Sequence, residues 1–120
     1  MKLYIGGLGH GQALLAEKET GLKPEQCSEE KALQAKAIDN FEEIIKEIVK
    51  KDGDAQDFAK RLLLENPDVV VVANEIGCGI HPLERIDRRW RDQTGRALCI
   101  LADGAESVTR VCCGIGQKIK

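Results

Sequence analysis

Five consecutive apolar residues, Val69-Val70-Val71-Val72-Ala73, constrain the fold more than any other feature of the chain. A strand without polar alternation is buried on both faces, as in a parallel sheet with helices on either side. Two further β-rich runs fit the same sheet, residues 2–6 and 108–113. Between them the apolar periodicity is helical. One helix is expected from about Gly11 to Glu19, ended by Gly21 with Pro24 close behind. Residues 20–28 read as irregular, with room for a very short strand. Ser28 is a good N-cap, with Glu29 and Glu30 in the first turn, and predicts a helix running to Lys51. Its apolar face is Ala37, Phe41, Ile44, Ile45 and Ile48. A further helix starts at Asp54, turns Phe58, Leu62 and Leu63 inward, and ends before Asn66-Pro67. The last spans 83–102, with Ile86, Trp90, Ala97 and Leu101 on one face. Strand, helices, strand, helix, strand predicts a small, mainly parallel α/β sheet with helices on its faces.

The 120 residues fit one domain, 1–120. A net charge of −2 argues against non-specific binding to nucleic acid or an anionic membrane, and 3% aromatics argue against a base-stacking platform. No apolar run spans a bilayer, and Met1 to Ile5 lacks the core of a signal peptide, so a cytoplasmic protein is expected. The cysteines are Cys27, Cys78, Cys99, Cys112 and Cys113. Their number is odd and no C-x-x-C occurs, which predicts small buried apolar side chains rather than disulfides or zinc ligands. On a strand, Cys112 and Cys113 would point to opposite faces. His10 and His81 lack spaced partners, so no metal site is expected.

In an open parallel sheet, ligands bind at the carboxyl ends of the strands. Three loops qualify: Gly6 to Gly11, Asn74 to Pro82, and Gly114 to Gln117. The first reads Gly6-Gly7-Leu8-Gly9-His10-Gly11-Gln12-Ala13. Gly6 and Gly11 have the spacing of G-x-x-x-x-G-K-[ST], the phosphate-binding loop. Gly6, Gly7, Gly9, His10, Gly11 and Gln12 are therefore the candidate nucleotide or phosphate contacts, through backbone N–H groups and the following helix N-terminus. The lysine position holds Gln12 and the magnesium-binding hydroxyl position holds Ala13. Each loss is expected to lower a transfer rate by about 10²–10³, by analogy with removing one transition-state donor. A glycine-rich structural turn fits the bare pattern equally well. In the second loop Asn74, Glu75, Gly77 and Gly79, with Arg85 beyond, are the candidate substrate-side residues. Arg85, Arg88, Arg89, Arg91 and Arg96 suit phosphate recognition, but Glu84, Asp87 and Asp92 are interleaved, so most belong to a solvated, salt-bridged face.

The stretches VVVANEIGCGIHP (70–82), RRWRDQTGRA (88–97) and CCGIGQKIK (112–120), with YIGGLGHG (4–11), resemble the bifunctional cobinamide kinase / cobinamide-phosphate guanylyltransferases of cobalamin biosynthesis. The resemblance implies a P-loop-like nucleotide-binding sheet and a homotrimer. It implies phosphorylation of the aminopropanol hydroxyl of cobinamide, then GMP transfer from GTP through a guanylylated histidine. This chain departs at Gln12 and Ala13, and residues 28–66 read as helices where the family carries that histidine. Neither His10 nor His81 matches it. The expectation is a relative that binds a nucleotide (GTP or ATP) or a corrinoid, with catalytic residues unassigned and magnesium disfavoured. The alternatives are an active transferase using cations such as Arg85 or Arg88, and a purely structural oligomerisation module.

Overall fold

The computed structural model describes residues 1–76 and 85–120. In chain order the elements are β1 (Lys2–Gly6), α1 (Gln12–Thr20), α2 (Glu29–Ala32), β2 (Ala37–Ile38), α3 (Phe41–Lys50), α4 (Ala55–Glu65), β3 (Val70–Asn74), α5 (Arg85–Gly104), β4 (Ser107–Cys112) and β5 (Ile115–Lys118). The five strands form one sheet in the order β2-β3-β1-β4-β5. β1 lies parallel between β3 and β4, with Leu3 opposite both Val71 and Val108. The mainly parallel α/β sheet expected from the Val69–Ala73 run is the one observed.

Alternation along the strands sorts side chains to two faces. Leu3, Val71, Ala73 and Val108 join Ile45, Leu62 and Leu101 from α3, α4 and α5 in the larger core. Tyr4, Val70, Val72 and Val111 face the other way and pack on Ala16 of α1. Phe41 and Phe58 stack at 6.2 Å between α3 and α4. The chain thus leaves β1 toward one face and β3 toward the other. Loops that diverge from neighbouring strands open a crevice between them, here at the carboxyl ends of β1 and β3.

Several expectations are corrected. Residues 28–51 are not one helix: α2 stops at Ala32, and Ala37 and Ile38 form β2, pairing with Val70 and Val71. The segment 20–28 is irregular as expected, and the very short strand allowed there is an isolated parallel bridge from Glu25 to Ile38. A new helix then begins after Asn40, whose φ of 51° sets the chain into α3. The segment Gly114 to Gln117 is not a ligand loop, because β5 returns antiparallel to β4 through a turn at Cys113 and Gly114. Ile86 is 42% exposed rather than inward, and Trp90 is half-buried, donating from Nε1 to the Glu42 carbonyl at 2.7 Å. Cys99, Cys112 and Cys113 are exposed, because among the described residues nothing covers the end of β4 or the outer side of α5; Cys27 is half-buried, and Cys78 lies outside the described residues. Among the described residues no helix is long and apolar enough to cross a membrane.

Candidate functional site

The glycine loop joins β1 to α1, and its conformation follows from its glycines. Gly9 and Gly11 have φ of 79° and 84°, which side-chain-bearing residues rarely adopt. Gly6 is required by contact: a Cβ there would stand 2.5 Å from the Val111 carbonyl oxygen. The His10 N–H donates to the Gly7 carbonyl at 3.2 Å, so this amide is committed within the loop. Gly11 caps α1 without a side chain, leaving the first-turn amides uncapped toward the loop.

Gln12 occupies the lysine position and is only 4% exposed. Its side chain turns back into the sheet edge. Nε2 donates to the Gly6 and Gly7 carbonyls at 3.0 Å each and to Asn74 Oδ1 at 2.6 Å, with the Ala73 carbonyl at 3.5 Å. Three of these four oxygens are backbone carbonyls that can only accept, so the seat is built for a donor-rich group. An amide supplies two hydrogens to it and leaves Oε1 buried without a partner among the described residues. Gln12 also ties the glycine loop to the end of β3.

Asn74 is the hub between the two loops. Its backbone N–H donates to Glu42 Oε1 at 2.9 Å, and its Nδ2 to Glu42 Oε2 at 2.8 Å and Asn40 Oδ1 at 3.1 Å. Glu42 is 3% exposed, and its burial is tolerable because both oxygens are hydrogen-bonded. Sequence reasoning placed Asn74 at the ligand edge but missed Asn40 and Glu42. The available signal was Asp39-Asn40 before Phe41, a helix start that the expected long helix obscured. Glu75 is half-buried, and its N–H donates to the Gly6 carbonyl at 2.8 Å. Gly77, Gly79 and His81 lie outside the described residues. Arg85 begins α5 and is exposed. Arg89 pairs with Asp52 at 3.0 Å and Arg96 with Asp92 at 3.1 Å, both in solvent and energetically minor.

His10 is drawn to the β4–β5 turn instead of pointing along the loop. Its Nδ1 accepts from the Cys113 N–H at 2.9 Å. The Cys112 sulfur 4.0 Å away, as hydrogen-bond partner and like charge, holds the Cys113 thiol above its ordinary range. Burial pushes Cys27 up, partly offset by Lys31. A depression lined by Cys27, Glu29, Glu43, Glu47 and Lys51 contains no residue of the glycine loop, and its carboxylates disfavour an anion.

The family model for cobinamide kinase / cobinamide phosphate guanyltransferase matches residues 14–119. The chain belongs to this family. The match starts two residues after Gln12, so it covers most of α1, the later helices, strands β2 to β5 and the Asn74 edge, and leaves out β1 and the glycine loop. Two curated relatives are bifunctional adenosylcobalamin biosynthesis proteins CobU, from Salmonella typhimurium and Escherichia coli. Each is 50% identical over 52 residues, covering 43% of this chain and 29% of the relative. The chain therefore aligns with under a third of the length of these relatives.

Proposed function

We propose that this chain is a binding member of the family, holding a nucleotide or a corrinoid at the β1–β3 edge with phosphoryl and guanylyl transfer weak or lost. The position of Gln12 carries this reading. A transfer site needs a mobile cation reaching the β- and γ-phosphates. Here the side chain at that position is neutral, buried and spent on the loop's own carbonyls and Asn74. Ala13 supplies no hydroxyl for magnesium. What stays available to an anion is the uncapped start of α1, which depends on backbone alone.

Titrating the protein with GTP, ATP, GMP and cobinamide, with and without magnesium, tests this when binding and turnover are both followed. Weak binding of a nucleotide or of cobinamide, little affected by magnesium and without turnover, is the expected result. Turnover would favour an active transferase relying on cations such as Arg85 or Arg88. Absence of all binding would favour an oligomerisation module. We also propose a homo-oligomer, a trimer by family likeness. Leu8, Leu14, Leu64 and Ile115 are 73–85% exposed, apolar area that association would bury in part. Light scattering that finds a monomer at high micromolar concentration would exclude it.

A further inference from the structure

The turn between β4 and β5 sets two adjacent thiols beside the glycine loop. Cys112 pairs with Ile115 across a two-residue turn, with Cys113 at φ 53° and Gly114 at φ 76°. Turns with both central residues left-handed favour Asn-Gly or Asp-Gly, and a cysteine at such a φ is uncommon. Nothing is gained here through burial, because Cys112 and Cys113 are exposed and line an open depression with Arg110, Ile115 and Gln117. Their Sγ atoms are 4.0 Å apart. His10 approaches from the loop. Its Nδ1 accepts from the Cys113 N–H, and its carbonyl accepts from the Gly114 N–H at 2.8 Å. The ring lies against Gly7, where a Cβ would stand 2.9 Å from His10 Cδ2. One ligand atom from each of His10, Cys112 and Cys113 lies within 4.8 Å of the others.

We propose that His10, Cys112 and Cys113 form a binding site for a thiophilic divalent cation of the zinc class. Tetrahedral zinc with Zn–S about 2.3 Å and Zn–N about 2.0 Å needs sulfurs about 3.8 Å apart and sulfur to nitrogen about 3.5 Å. The thiols already stand at 4.0 Å, so the main adjustment is a closure by the imidazole of at most about 1.3 Å. Two thiolates and an imidazole select zinc-like ions over magnesium or calcium. Three protein ligands leave the fourth position to water. A neutral imidazole has one basic nitrogen, and its lone pair now serves the Cys113 amide. Binding transfers that lone pair to the metal and releases the two thiol protons to solvent, with no change of oxidation state. Sequence spacing hides the group, because the histidine and the cysteines meet only when β1 and β4 pair. The site requires no anion at the glycine loop.

Cobalt(II), added anaerobically to the reduced full chain, is the probe. The expected result is a thiolate-to-cobalt charge-transfer absorption with intense tetrahedral d–d bands, saturating at a single equivalent and displaced by zinc. Cys112→Ser and Cys113→Ser should each weaken zinc binding by more than the roughly 100-fold typical of losing an outer-sphere partner. His10→Gln keeps an acceptor for the Cys113 amide, so a clear loss of affinity in this variant separates ligation from mere pinning of the turn. In the unaltered chain, peptide mapping of alkylated thiols should show zinc protecting Cys112 and Cys113 while exposed Cys99 reacts unchanged. No charge-transfer band, a band that survives the double cysteine substitution, unprotected Cys112 and Cys113, or an unchanged affinity in His10→Gln would each overturn the proposal.

Discussion

The interior of the sheet and its candidate ligand edge meet within one residue of each other, yet they are held by different forces. Behind β1 and β3, Leu3 and Val71 are sealed from solvent in one apolar cluster with Ile45, Leu62 and Leu101 of α3, α4 and α5. Where those strands end, the occupants are Gln12, Asn74, Asn40 and Glu42, joined by hydrogen bonds. Apolar burial is non-directional and tolerates exchange at similar volume. A polar network depends on each donor meeting its acceptor. A chain can therefore keep a family's sheet while the polar edge of that sheet changes character, and the proposed function places such a change at Gln12, whose Oε1 has no partner among the described residues.

The largest stability effect belongs to the interior. Leu62→Ala removes a fully buried side chain and should cost about 2–5 kcal/mol in urea unfolding, while ligand affinity of the folded fraction stays unchanged. Affinity falling together with stability would mean the two regions are coupled. Asn74→Ala should cost about 1–3 kcal/mol, since it strips a partner from Glu42, Asn40 and Gln12 together. Unlike Leu62→Ala, it should also change ligand affinity, and a purely thermodynamic effect would place Asn74 in the scaffold alone.

A smaller effect appears at alkaline pH, on the face covered by α1. Burial, and then the 2.8 Å hydrogen bond to Glu19, raise Tyr4 from 10.0 to about 12. The native state holds this proton after the unfolded chain has released it. The resulting contribution is fully present below pH 10.0 and is lost as the pH rises toward about 12. Tyr4→Phe should therefore lose less stability than the unaltered chain across that window, measured as urea midpoints. Equal losses would show that Tyr4 titrates normally.

The strands of the interior were legible because continuous burial leaves an unbroken apolar run at Val69–Ala73. β2 was not, since Ala37 and Ile38 also fit a helical face and only pairing with β3 assigns them to the sheet. β5 was missed because all of its residues are exposed and carry no alternation. At the ligand edge, Gly6–Gln12 and Asn74 were recognisable from their positions after strands. Glu42 and Asn40 were not, because their role exists only through Asn74, which lies 32 and 34 residues away. The meeting of His10 with Cys112 and Cys113 was hidden for the same reason.

The central claim is that the fold still offers a lysine seat and that the change in chemistry is local to Gln12 and Ala13. Calorimetric titration of Gln12→Lys/Ala13→Ser with GTP, with and without magnesium, tests it most directly. A regained charge-assisted contact should strengthen binding by about 10- to 100-fold and introduce a magnesium dependence that the unaltered chain lacks. A double variant that folds normally yet shows neither change would contradict the claim and leave the glycine loop a structural turn.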